Sequence, residues 1–168
     1  MATSTTTETA PKTADVRPGK YLTFRLGREE FGIRVMQVRE IMGLLEITPV
    51  PHTPTHVKGV INLRGKVIPV VCLRSKFGLS ATEYTARTSI IVVQVDGGKM
   101  LAGVIVDAVS EVLNVAASDI EDAPDFGSGS ETSYLLGMAK IKNSIKILLD
   151  IDQVVTPQEM PVLSNLAA

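Results

Sequence analysis

The chain has 168 residues, 45% of them apolar, with 4% aromatics and no Trp, so its interior must come mostly from Val, Ile and Leu, which favours strands. Seventeen basic against eighteen acidic residues leave a net charge of −1, and no basic run or aromatic–basic interleaving occurs, which argues against nucleic acid as a partner. No apolar run approaches the roughly 18–20 residues of a membrane span. Met1-Ala2-Thr3-Ser4 lacks a basic stretch followed by an apolar one, so no secretory signal is expected, and a single Cys fits a reducing cytosol.

Residues 1–18 show no apolar period and are expected to form a disordered tail. Order begins where Leu22, Phe24 and Leu26 alternate with more polar neighbours, the pattern of a half-buried strand. Gly27-Arg28-Glu29-Glu30 turns it and residues 31–34 return. From Val35 the spacing changes: Val35, Val38, Ile41 and Met42 fall at three- and four-residue intervals, which predicts a short helix or tight coil. Pro49, Pro51 and Pro54 then bar a helix or central strand. Residues 57–63 and 66–73 make a hairpin about Arg64-Gly65, and residues 89–95 and 100–106 another about Asp96-Gly97-Gly98. Residues 118–131 are acidic and Gly/Ser-rich, a loop. Residues 135–141 and 145–151 form the last hairpin about Asn143-Ser144. Thr156-Pro157-Gln158-Glu159 offers a cap, a first-turn Pro and a Glu three residues after the cap, so a short final helix is expected. Eight or so short strands with brief helices suggest two small antiparallel barrels, closed to remove open edges.

A repeat runs through this pattern. Gly32-Ile33-x-Val35-x-x-Val38-x-Glu40-Ile41 returns as Gly103-Val104-x-Val106-x-x-Val109-x-Glu111-Val112, shifted by 71 (103 − 32). Gly59-Val60 through Leu63-Arg64-Gly65 to Val67, Val70, Val71 and Leu73 returns as Gly137-Met138 through Ile141-Lys142-Asn143 to Ile145, Leu148, Leu149 and Ile151, shifted by 78 (137 − 59). Two similar modules packed together follow more naturally than one core with a catalytic cleft.

Candidate chemistry is sparse. His52 and His56 lie four apart but flank Pro54 and have no third ligand nearby, short of what zinc needs. Asp119, Glu121, Asp122 and Asp125 lack the spacing and central Gly of a calcium loop. Gly127-Ser128-Gly129-Ser130 is not followed by the Lys-Ser/Thr of a phosphate cradle. Cys72 ends a buried-looking strand without an obvious His partner and reads as a small packed residue. Its repeat counterpart, Asp150, is placed to cap a turn over residues 151–155, which Cys72 cannot do. No catalytic residue, metal site or cofactor fingerprint is expected, and enzymatic activity is disfavoured.

The run Gly59-Val60-Ile61-Asn62-Leu63-Arg64-Gly65-Lys66-Val67-Ile68-Pro69-Val70-Val71, ending Leu73-Arg74-x-Lys76-Phe77-Gly78, is distinctive. With Tyr21-Leu22-Thr23-Phe24 and Phe31-Gly32-Ile33 ahead of it, the chain closely resembles the CheW family of bacterial chemotaxis coupling proteins, from about Lys20 to about Val155. The resemblance implies a mainly β fold of two pseudo-symmetric five-stranded SH3-like β-barrels with short helices, the first strand pairing into the second barrel. On that basis one barrel is expected over residues 30–80, the other over 19–29 plus 81–156, with a C-terminal helix or tail at 157–168.

It also implies a non-enzymatic cytoplasmic adaptor without cofactor, joining the regulatory domain of a CheA-type histidine kinase to the cytoplasmic tips of chemoreceptors. By matching position, Arg64 belongs to the receptor-binding region, with Val38 and Glu40 near a groove between barrels. Leu22, Val35, Val38 and Val109 are the matching candidates for an apolar kinase contact. The family often carries Asp where Cys72 and Arg34 stand; a cation at position 34 bears on partner choice. Three alternatives remain: a similar adaptor serving pili, biofilm or another output; a phosphorylatable regulator, for which no Asp-rich acceptor domain follows Val155; and a small nucleic-acid- or oligosaccharide-binding barrel.

Overall fold

The computed structural model describes residues 17–51, 56–80, 83–122 and 134–155. Most of the expected N-terminal tail, His52, Pro54, Asp125, residues 127–130 and the helix expected from Thr156 lie outside them. Strands β1 (Gly19–Leu26), β2 (Glu29–Arg34), β8 (Ala108–Val115), β9 (Ile120–Glu121), β10 (Leu135–Ile141) and β11 (Ser144–Leu149) form a six-stranded sheet in the order β9-β10-β11-β2-β1-β8. Strands β3 (Val38–Gly43), β4 (Val57–Leu63), β5 (Lys66–Cys72), β6 (Ser89–Val95) and β7 (Met100–Val106) form a five-stranded sheet in the order β3-β6-β7-β5-β4. One-turn helices α1 (Leu73–Lys76) and α2 (Ile151–Val154) follow β5 and β11. A bridge from Thr48, just beyond β3, to Val60 on the opposite edge strand closes the five-stranded sheet into a barrel.

The repeat is visible in the pairing. Gly32 lies opposite Leu148 where β2 runs parallel to β11, and Gly103 lies opposite Val70 where β7 runs parallel to β5. The shifts of 71 and 78 exchange these two joints. Bulges fall at matching places, between Val57 and Gly59 and between Leu135 and Gly137. Each copy's first hairpin therefore joins the sheet of the other copy's second hairpin. The division expected from sequence needs correction here: residues 30–34 belong to the six-stranded sheet, and residues 89–106 to the five-stranded one. Long-range parallel pairing, which leaves no local sequence mark, decides that allocation.

The strands bury two faces. Ile91, Val93 and Val95 join Leu22, Phe24, Ile33, Val104 and Leu149 in the largest core cluster, which draws on both sheets. Ile90 and Val92, on the other face of β6, pack with Ile61, Ile68, Val70 and Ile105 inside the five-stranded barrel. Tyr21, Val115, Ala139 and Leu148 form a smaller cluster in the other barrel. A strand sandwiched between two cores reads as an unbroken apolar run, which explains Ile90-Ile91-Val92-Val93. Phe24, Phe31, Phe77 and Tyr134 stack in series, with ring centroids 5.9, 5.7 and 5.2 Å apart, across β1, β2, the end of α1 and the start of β10.

Three local expectations change. The short helix or tight coil expected from Val35 is confined to a single 3-10 turn over Val35–Gln37, and Val38–Gly43 is a strand paired to β6. Its burial alternates, and a bulge between Val38 and Glu40 accommodates Arg39; the helical spacing came from counting Ile41, which faces outward. The last turn is Lys142-Asn143, one residue earlier than expected, with both residues at positive φ. The first residues of the expected 118–131 loop are ordered, since Ala117–Asp119 form a 3-10 turn and β9 follows, while residues 123–131 lie outside the described residues.

Candidate docking surfaces

The β4–β5 connection has two residues, Arg64 at φ +50° and Gly65 at φ +87°, the left-handed pair that matches strand twist in a tight hairpin. Asn62 fixes it by accepting the Gly65 N–H on its side-chain oxygen at 2.9 Å. Arg64 is thereby held outward, its side chain 67% exposed, and it forks onto Glu40 of β3: Nη2 donates to Oε1 at 2.7 Å and Nη1 at 3.0 Å. The pair can meet because barrel closure brings the far end of β4 beside β3.

Arg39, Glu40, Leu63, Arg64, Lys66, Val92 and Leu101 line an open groove of about 430 Å³. Leu63, Val92 and Leu101 belong to the interior packing of the five-stranded barrel, so the groove is that barrel's mouth, with an apolar floor and a rim of three cations and one carboxylate. The expected position of Glu40 between the barrels is thus corrected. Val38 points the other way, into the packing shared by the two sheets. Arg39 and Lys66 escaped sequence reasoning; their only signal was adjacency to Glu40 and to the Arg64-Gly65 turn.

The four apolar candidates come together, but as core. Leu22 is 4% exposed, and Val35, Val38 and Val109 are half-buried against the same central cluster. Leu22 offers almost no accessible surface, because β1 is covered by β2 and β8 at its edges and by the central cluster on its face. The exposed apolar side chain of this region is Met36, 80% accessible, which with Arg34, Val35 and Pro18-Gly19-Lys20-Tyr21 lines a second depression of about 270 Å³. Arg34 is half-buried, and its Nε has no hydrogen-bond partner among the described residues. Burial pushes the nearby Asp150 carboxyl up from the usual range; the Asp152 charge adds to this, while the Asp152 N–H and Arg34 oppose it.

The other residues weighed from sequence have separate partners. The Asp119 carboxylate accepts from the Ala116 N–H, Glu121 pairs with Lys140, and Asp122 pairs with Arg17. No group of three His, Cys, Asp or Glu side chains among the described residues is arranged to hold a metal ion. Cys72 is buried beside Ile61, Ile68 and Val70. Asp150 caps α2 as expected, accepting the Asp152 N–H at 3.2 Å. No helix among the described residues is long and apolar enough to cross a membrane.

Residues 20–159 match the family model described as "CheW-like domain". The chain belongs to the CheW family. Over 148 residues it is 38% identical to the chemotaxis protein CheW of Klebsiella aerogenes, covering 88% of each chain. Over 138 residues it is 42% identical to the chemotaxis protein CheW of Rhizobium meliloti, covering 82% of this chain and 88% of that one. Its fold matches the crystal structure of the scaffolding protein TtCheW from Thermoanaerobacter tengcongensis with a TM-score of 0.75 at 34% identity, over 85% of this chain and 97% of the other. CheW-family membership assigns the chain a scaffold role in chemotaxis signalling.

Proposed function

We propose that this chain couples cytoplasmic chemoreceptor tips to the regulatory domain of a CheA-type histidine kinase by binding both at once, with no chemistry of its own. The receptor side is the mouth of the five-stranded barrel, where Arg64 and Glu40 supply charge. Val38 supports the strand that carries Glu40. The kinase side is apolar and centred on Val35 and Val109, with Leu22 contributing as the core beneath. The action is cytoplasmic, at the inner face of the receptor-bearing membrane.

The observation that carries this reading is Arg64: a long cation locked outward by a strained turn, oriented by Glu40, over an apolar floor. A solvated turn residue needs none of that orientation. If Arg64 becomes desolvated and hydrogen-bonded in the complex, Arg64→Ala should cost about 2–5 kcal/mol of receptor affinity. Lys142→Ala, at the matching turn of the other barrel, should leave affinity unchanged. Titration against a receptor cytoplasmic fragment measures both, and wild-type affinity in a folded Arg64→Ala variant removes the assignment. Simultaneous capture of receptor fragment and kinase regulatory domain tests the scaffold itself.

A further inference from the structure

The chain passes between the two sheets at two places. Residues 35–37 carry it from β2 to β3, and Asp107 carries it from β7 to β8. Each crossover is gripped by the second residue of a one-turn helix. At the first, Asp152 of α2 accepts from Gln37 Nε2 at 3.0 Å and, with its other oxygen, from the Asp96 N–H at 2.9 Å, and Gln37 Nε2 also donates to the Gln94 carbonyl at 3.2 Å. At the second, Arg74 of α1 donates through Nε and Nη2 to Asp107, both at 2.9 Å, and Asp107 accepts the Gly27 N–H at 2.8 Å. Arg74 and Asp152 are repeat partners (152 − 74 = 78), and Gly27 and Asp96 each open the turn of a first hairpin. Each clamp therefore gathers a helix from one barrel, a crossover and a hairpin turn from the other.

The two clamps differ in stiffness. A guanidinium forked onto a carboxylate fixes orientation as well as distance. A neutral amide shared between the Asp152 carboxylate and the Gln94 carbonyl, with a backbone N–H beside it, is weaker and more readily exchanged for water. The weaker clamp sits immediately before Val38 and Glu40, the residues that open β3 beside the Arg64 groove.

We propose that Gln37 and Asp152 are positioning residues for the receptor-docking edge. Their hydrogen bond sets the backbone that leads into Val38 and Glu40 and, through Glu40, the direction of Arg64. Arg74–Asp107 is the rigid counterpart that holds the barrel junction. This inference rests on the reading of the Arg64 groove as the receptor contact.

Gln37→Glu would set a carboxylate against Asp152 and the Gln94 carbonyl, and adding Asp152→Asn would restore the first contact as a donor–acceptor pair with its direction reversed. Gln37→Glu should weaken binding to a receptor cytoplasmic fragment about three- to tenfold and speed amide hydrogen exchange at residues 38–41, while the repeat-matched residues 109–112 keep wild-type exchange. The double variant should recover much of both, short of the Gln94 contact, which a carboxylate at position 37 cannot make. Unchanged affinity and exchange in Gln37→Glu, failure of Asp152→Asn to rescue, or a uniform loss of protection through the whole chain would each overturn the proposal. If wild-type protein does not bind the receptor fragment, the docking reading falls. The exchange at residues 38–41 then decides separately whether the clamp positions β3.

Discussion

The turns at Arg64-Gly65 and Lys142-Asn143 are the same piece of backbone made twice. They lie 78 positions apart, join matching strands and start at nearly the same torsion, φ +50° and +51°. Their side chains have diverged. Arg64 reaches across its barrel mouth to Glu40, whereas no ion pair joins Lys142 to Glu111, the repeat partner of Glu40, among the described residues. Duplication preserves what sheet closure requires, because twist and hydrogen bonding tolerate few alternatives. Chemistry is free to differ wherever closure does not depend on it, so broken symmetry is where a docking role is best sought.

The largest test of that comparison strikes the shared part. Gly59 and Gly137 both sit at the bulge, at φ +144° and +149°. A methyl at Gly59 would overlap the Thr48 carbonyl oxygen that closes its barrel, and one at Gly137 would lie 2.8 Å from the Glu121 carbonyl oxygen. Gly59→Ala should cost about 4 kcal/mol or more and Gly137→Ala somewhat less, measured by denaturant unfolding. Equal, small costs would show that the bulges are not needed for closure.

The two parallel joints differ more sharply. Where β11 meets β2, Lys146, 9% exposed, pairs with Glu30, which also has Arg25 at 3.6 Å. The matching joint between β5 and β7 pairs Val70, Val71 and Cys72 with Gly103, Val104 and Ile105. Lys146→Met should destabilise by about 3 kcal/mol, because it strands a half-buried Glu30 carboxylate with one distant cation. Little change would mean that the ion pair contributes no more than the apolar joint does.

At the clamps the comparison becomes one of pH. Burial acts to raise the Asp107 carboxyl, but the hydrogen bonds from Arg74 and the Gly27 N–H, with the Arg74 charge, hold it below its ordinary range. A depressed folded value gives stability that is present above the unfolded pKa, near 3.9, and is lost as pH falls through the folded value. Asp107→Asn should therefore cost about 1.5–2 kcal/mol at neutral pH, with the gap from wild type closing below about pH 4. A gap independent of pH would assign the effect to packing.

The smallest expected effect compares Cys72 with Asp150, the residues preceding the two helices. Asp150 caps α2 with its side chain, while α1 has no side-chain cap. Cys72→Asp would supply a cap worth about 1 kcal/mol beside the Arg74 cation, against the cost of placing a carboxylate near Ile61 and Val70. The two nearly cancel, so the fold should stay intact with a melting temperature close to wild type. A large drop would show that the apolar neighbours dominate.

Much of this was legible in the residues. Hairpins at Arg64-Gly65 and at Asp96-Gly97-Gly98 announced themselves, because left-handed turn residues between apolar runs are local signals. The duplication was legible too, as was the Asp150 cap. Strand β3 was misread because Ile41, an outward residue, completed a helical spacing. Strand β9 was hidden inside an acidic stretch because two residues carry no period. At the candidate site, Arg64 and Glu40 were named from resemblance, but nothing in the sequence placed them across a closed barrel from one another.

By itself the sequence determined two copies of a strand grammar, their turns and their apolar faces, since each depends on neighbours within a few residues. Only the tertiary structure decided which hairpin joins which sheet, that Leu22 is core, and that two crossovers are clamped from 33 and 115 residues away. Those outcomes depend on parallel pairing and on side chains meeting across barrels. Such contacts are chosen by the packing of the whole chain, and no local pattern records them.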